Sequence, residues 1–281
     1  MKLLRYGAPG AEKPGCLDAS GNVRDLSQHI DDISGKHLSR ETLKKLQTLD
    51  LNTLPLIQNP ERIGACVNHV GKFICIGLNY ADHAAETNSK KPDEPIIFAK
   101  ATSAISGPHD PIIIPKKSTE TDWEVELGVV IGTPAKRVAE KEALDYVAGY
   151  CVIDDVSERY YQKSTPQWMK GKSCDTFGPI GPWLVTRDEI SDPQNLSLWL
   201  EVDGKRYQEG HTSNMIFGVA YLVSYLSQYF TLHPGDIIST GTPAGVGMGQ
   251  KPNPIYLKAG QKVHLGIEGL GEQLHMMEDE K

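Results

Sequence analysis

Glu124 and Glu126 are the first side chains in this sequence whose type and spacing could do chemistry. They lie in Thr121-Asp122-Trp123-Glu124-Val125-Glu126-Leu127-Gly128-Val129-Val130-Ile131. Val, Ile and Trp suit a pleated surface and Gly132-Thr133-Pro134 ends the run, so a strand is expected over 121–131. Alternation puts Trp123, Val125, Leu127, Val129 and Ile131 on a core face. Glu124 and Glu126 share the other face, which continues as Gly128 and Val130. Two carboxylates pointing the same way repel each other and need either water or a cation. On this stretch alone, an antiparallel strand with one wet face explains the pattern as well as a metal site does.

A third acid follows another apolar run. Val147-Ala148-Gly149-Tyr150-Cys151-Val152-Ile153 leads straight into Asp154-Asp155-Val156-Ser157, as in a strand that ends at a polar cavity. One of these aspartates would join Glu124 and Glu126. Three hard oxygen ligands without His or Cys select Mg²⁺ or Mn²⁺ over Zn²⁺. Ca²⁺ remains open, although no EF-hand pattern is present. The competing reading makes these acids helix caps for 157–162, and it is credible for one of the two.

Asp82 to Glu86 can form one helical turn that places His83 and Glu86 three apart on one side. A carboxylate beside an imidazole orients it and raises its basicity, as a general base requires. Surface helices carry many such pairs, so this one alone is weak evidence. Lys170 and Lys172 lie in the turn-rich segment 167–179, and a lysine beside a metal could neutralise developing negative charge. By position alone, both are expected in solvent.

These residues need elements to hold them. With 281 residues the chain can form one large domain, or one large and one small. Its 27 Gly and 18 Pro favour many short strands over a helical bundle. Residues 1–70 read as a small module with strands at 2–6 and 15–17, and a helix capped by Ser39 that carries Leu43, Leu46 and Leu49. Strands are expected at 73–77, 96–100, 112–114 and 237–239, and residues 88–94 form a polar loop suited to a lid. Ala139 to Tyr146 is a modest helix, and Asp203-Gly204 turns a hairpin. Ser213 or Asn214 caps the longest helix, about 215–229, and residues 276–281 read as a frayed tail. The Gly-rich run Thr240-Gly241-Thr242-Pro243-Ala244-Gly245-Val246-Gly247 is neither a Walker A loop nor a dinucleotide fingerprint, yet it can line a site with backbone N–H groups.

A net charge of −7 with no basic block makes nucleic acid and anionic membranes poor partners. Five cysteines without a CxxC pair fit free thiols. With no signal-type apolar run and no membrane-length segment, a soluble cytoplasmic protein is expected.

From about Lys72 onward the chain resembles the fumarylacetoacetate hydrolase family. Five ordered motifs carry the resemblance: Ile76-Gly77-Leu78-Asn79-Tyr80-Ala81-Asp82-His83, Glu124-Val125-Glu126-Leu127-Gly128, Asp154-Asp155-Val156-Ser157-Glu158-Arg159, Gly171-Lys172-Ser173 and the Thr240–Gly247 run. It implies an α+β, mainly β fold: a mixed β-sandwich roll over 71–281 with the small N-terminal module, in a homodimer. It implies Glu124, Glu126 and Asp155 as ligands of a divalent metal, with Asp155 preferred because the family's acid stands four residues before an arginine, here Arg159. His83 and Glu86 match the water-activating dyad on a lid, and Lys172 the lysine beside the metal. Arg159, Gln162 and Thr242 match positions that hold substrate or its neighbours.

The activity implied is metal-dependent hydrolysis of 2,4-diketo acids (acylpyruvates). The N-terminal opening and the stretches around 123–127 and 172–179 look most like bacterial enzymes that cleave 2,4-diketo-3-deoxy-fuconate or -rhamnonate to pyruvate and lactate. The same machinery serves oxaloacetate decarboxylases and isomerases of unsaturated diacids, which are the alternatives. Ureidoglycolate lyase ranks lower, and a non-catalytic metal-binding scaffold lower still.

Overall fold

The computed structural model describes residues 1–281. Its largest sheet runs, from edge to edge, Leu56–Ile57, Val23–Asp25, Lys13–Leu17, Lys2–Tyr6, Gly178–Thr186, Val147–Asp154, Val125–Ile131, Ile237–Ser239, Phe73–Gly77 and Ile96–Lys100. Most neighbours are antiparallel, but Ile237–Ser239 pairs parallel with Phe73–Gly77. A second sheet orders Lys205–His211, Ser197–Val202, Lys262–Ile267, Gly271–Asp279 and Ile112–Ile114. Helices are few and short, so the chain is α+β and mainly β. Asp203 and Gly204 both have positive φ, the backbone of a tight two-residue hairpin turn.

The large sheet is apolar on both faces. One face, with Val125, Leu127, Val129 and Ile131, packs against the second sheet and the Val219–Tyr229 helix. The other, with Val130, Cys151 and Ile153, packs under Leu26, Ile33, Leu38, Leu43 and Leu46 of the N-terminal segment. Residues 1–70 therefore extend the sheet through Lys2–Tyr6 and cover its second face. The sheet runs through the expected boundary near residue 70. Ser39 caps the Arg40–Gln47 helix by accepting from Thr42 N, as expected. All five cysteines are free and four are buried.

Several elements differ from the sequence expectation for physical reasons. The run 121–131 is broken, with Thr121–Asp122 pairing Ser157–Glu158 and a new strand beginning at Val125. At the break, side chains replace the ladder: Asp122 Oδ1 accepts from Trp123 N, and Asp154 Oδ1 from Glu124 N. The longest helix starts at Val219, later than Met215, because Asn79 draws off the preceding amides. Ile216 N donates to Asn79 O at 2.7 Å and Phe217 N to Asn79 Oδ1 at 2.9 Å. Gln194 Oε1 then accepts from Val219 N at 2.7 Å, a cap that no local sequence contains. The Arg159–Lys163 helix is capped by Glu158, while Asp154 and Asp155 face elsewhere. Glu140–Tyr146 is a 3-10 helix. Residues 276–279 belong to the Gly271–Asp279 strand, with Met276 paired to Lys262 and Met277 to Asp279 paired to Ile112–Ile114.

Candidate active site

One cavity of about 220 Å³ is lined among others by His83, Glu124, Glu126, Arg159, Gln162, Lys172 and Thr242. The strand break sets Glu124 beside the end of the Val147–Asp154 strand, where Asp155 N donates to Glu124 O at 2.9 Å. Ligand oxygens of Glu124, Glu126 and Asp155 all lie within 4.8 Å of one another, and all three residues are buried.

Cations crowd one side of this triad. Lys172 Nζ donates to Glu124 Oε2 at 2.5 Å and to Asp155 Oδ2 at 2.8 Å. Lys100, fully buried, donates to Asp155 Oδ1 and to Val156 O. Arg159 spans Asp122 through Nε at 2.8 Å and Glu124 through Nη2 at 2.6 Å, and its Nη1 donates to Gln162 Oε1. Burial opposes charge on Glu124, but Arg159 and Lys172 outweigh it and hold the carboxyl below its usual range. Burial likewise opposes charge on Lys172, and Asp155 with Glu124 reverses the effect and raises it.

Glu126 has no such partner. It accepts only from Ser239 Oγ at 2.6 Å and Gly241 N at 2.8 Å. Burial, then the charges of Asp155 and Glu124, push its carboxyl well above the usual range. Three convergent carboxylates, one lacking a cationic partner, are a donor set that fits a hard divalent cation.

His83 is buried on the short Ala81–Glu86 helix, and its Nδ1 lies 3.2 Å from Glu86 Oε2. Glu86 Oε1 accepts from Gly245 N at 2.9 Å. A Cβ at Gly249 would collide with the Glu86 carboxylate, so the Gly-rich loop can close on the dyad only because it is bare there. The same loop donates Gly247 N and Met248 N to Asp122. Asn79 Nδ2 ties it back to the strand end through Thr240 O at 2.7 Å.

The cavity thus gathers all the residues that the sequence motifs single out except Glu86 and Asp155, which touch its walls from behind. Lys170 is exposed, whereas Lys172 is buried by its ion pairs, contrary to the expectation from position. Thr242 Oγ1 donates to Val125 O and accepts from Gln208 Nε2, so its hydroxyl holds the strand. Of the loop 88–94 only Ser89 lines the cavity, and of the nearby aromatic residues Trp168 lines it whereas Tyr160 and Tyr161 do not. Sequence reasoning passed over Lys100 and Asp122. A lysine closing an apolar strand and an acid opening one were the available signals.

A histidine–carboxylate pair, a buried lysine and an acidic triad thus meet around one small cavity on a mixed β-roll. The family profile described as fumarylacetoacetate (FAA) hydrolase C-terminal matches residues 72–276. The chain belongs to the fumarylacetoacetate hydrolase family, whose members are hydrolases and isomerases that commonly use divalent metals. A Burkholderia multivorans protein, whose description goes no further than hydrolase, is 66% identical over 277 residues, 98% of each chain. The fumarylacetoacetate hydrolase of Exiguobacterium antarcticum superposes with a TM-score of 0.89 at 34% identity over 100% of both chains. A 2-hydroxyhepta-2,4-diene-1,7-dioate isomerase from Mycobacterium marinum gives 0.79 at 33% identity, covering 100% of this chain and 99% of its own. No helix is long and apolar enough to cross a membrane.

Proposed function

We propose that this protein hydrolyses the carbon–carbon bond of 2,4-diketo acids (acylpyruvates), with a 2,4-diketo-3-deoxy-fuconate or -rhamnonate as the substrate and pyruvate and lactate as products. The observation that carries the reading is that His83, held from behind by Glu86, lines the same cavity as Lys172, Glu124 and Glu126, with Asp155 behind that wall. Isomerisation and decarboxylation need an electron sink, but neither needs water to attack. A buried imidazole held by a carboxylate is suited to taking a proton from water.

Glu124, Glu126 and Asp155 would hold Mg²⁺ or, failing that, Mn²⁺. Such an ion would supply Lewis-acid polarisation of the 2-oxo-acid end of the substrate. Glu86 keeps Nδ1 of His83 protonated, which leaves Nε2 free to take the proton of a water aimed at the C4 carbonyl. As the C3–C4 bond breaks, electron density moves onto the pyruvate fragment, and the Lys172 ammonium offsets it. The proton held by His83 is then delivered to C3 of the enolate, giving pyruvate, while the hydroxyl from water stays on the released acid. Arg159 and Gln162 frame the inner wall, and Gln162 Nε2 remains available to a substrate oxygen.

The M. marinum neighbour, a 2-hydroxyhepta-2,4-diene-1,7-dioate isomerase, supports a second reading, isomerisation of an unsaturated diacid. The test is pyruvate release by chelator-stripped protein with and without Mg²⁺ or Mn²⁺, on an acylpyruvate, a 2,4-diketo-3-deoxy sugar acid and oxaloacetate. Metal-dependent release from the diketo acids supports the hydrolase. Release from oxaloacetate alone moves the assignment to decarboxylase, and silence with metal bound overturns the mechanism. A homodimer, the assembly proposed here, is checked by sedimentation of the same preparation.

A further inference from the structure

We infer that Trp168, seated against Gly77, sets the length of acyl group the site accepts, an inference that rests on the acylpyruvate reading above. The cavity wall has a polar part, with Glu124, Glu126, Arg159 and Lys172, and an apolar part made by Ile76, Leu78, Phe98 and Trp168. A cavity of about 220 Å³ holds a small acid, so the wall nearest the acyl end decides which small acid fits.

The indole is fixed from two sides. A Cβ at position 77 would stand 2.6 Å from Cζ3 and 3.0 Å from Cη2 of Trp168, so the ring lies where only a glycine leaves room. Phe98 meets it edge-on, with centroids 5.2 Å apart and planes at 61°. The ring therefore has little freedom to retreat from a longer substrate.

The wall is also joined to the polar end. Trp168 precedes the Met169–Lys172 helix, and its carbonyl accepts from Lys172 N at 3.2 Å. The Phe98 ring that supports the indole lies 5.0 Å from Lys172 Nζ. An acyl chain that displaces the indole thus disturbs the lysine that answers the developing charge. Excess length lowers turnover as well as binding.

The experiment uses the full-length, metal-loaded protein and two ligand series. The first is straight-chain acylpyruvates from acetyl to octanoyl, scored by kcat/KM. The second is straight-chain 2-oxo acids from pyruvate to 2-oxooctanoate, which have no second carbonyl to cleave, scored by calorimetric Kd. Wild type is expected to decline with length in both. Trp168→Ala, with Trp168→Leu as the milder variant, should raise the long-to-short ratio by about tenfold or more, the scale at which a pocket senses a methylene. Gly77→Ala should lower it. Folded variants that keep the wild-type length profile overturn the role of Trp168. Wild-type protein that binds no 2-oxo acid and cleaves no acylpyruvate overturns the underlying reading instead. If 2-oxo acids bind without any hydrolysis, the Kd series alone decides the role of Trp168.

Discussion

The backbone N–H of Gly245 donates to Glu86 Oε1 at 2.9 Å, joining residues 159 positions apart. The other oxygen of Glu86 faces His83, so the orientation of the base depends on a loop that carries no reactive side chain. A methyl group at Gly249 would push the Glu86 carboxylate off this hydrogen bond. Gly249→Ala should therefore lower kcat by about tenfold to a hundredfold, the cost of a displacement near 1 Å in a reacting group. Its thermal unfolding should stay close to wild type. Steady-state kinetics beside a melting curve checks both halves, and unchanged kcat would detach the loop from the dyad.

His83→Gln should remove about a hundredfold to ten-thousandfold of diketo-acid hydrolysis, the usual worth of a general base. Binding of Mg²⁺ or Mn²⁺, measured by calorimetry, should persist, because His83 stands outside the triad. Loss of metal binding in this variant would instead place His83 among the ligands.

Adding Mg²⁺ or Mn²⁺ to chelator-treated protein should raise its unfolding free energy by about 3 kcal/mol at a hundredfold excess over Kd. Glu126→Gln should abolish that shift. In the metal-free protein the same change should be tolerated, since it removes one of three crowded carboxylates without stripping a cation of its partner. Denaturant titrations with and without ion give all four numbers.

Lys100→Met should cost about 3–5 kcal/mol, because it leaves one oxygen of buried Asp155 without its ion-pair partner. A surface pair such as Lys90–Asp93 should cost well under 1 kcal/mol when broken. Urea midpoints of the two variants separate the cases.

His275 gives the stability a pH limb. Burial depresses its pKa from 6.5 to about 4, and both ring nitrogens face protein oxygens, of Asp110 and Gln273. The unfolded chain binds this proton below about 6.5 while the folded one does not until about 4. Stability from this residue is thus fully present above about 6.5 and lost progressively as pH falls toward 4, by about 3 kcal/mol. His275→Gln should flatten that limb in denaturant titrations at pH 7, 5.5 and 4.5.

Much of this architecture is legible in the sequence where the physics is local. Strands at 2–6, 73–77, 96–100 and 237–239 follow from short apolar runs bounded by turn residues, and Ser39 announces its helix. The alternation across 123–131 assigns one face to the larger core. The carboxylates, His83 and Lys172 were visible as ordered motifs. Their convergence was not, because a motif carries no distance.

Tertiary structure decided what depends on partners far along the chain. Asn79 takes the amides of Ile216 and Phe217 and so delays a helix that local propensity starts earlier. The last residues look like a tail until Met276 pairs with Lys262, and Met277 to Asp279 with Ile112–Ile114. Lys172 looks like a solvated lysine until Glu124 and Asp155 meet around it. Lys100 and Asp122 show in the sequence only as charges at strand ends, because a buried charge is tolerated only where its counter-charge arrives, and that arrival is a property of the fold.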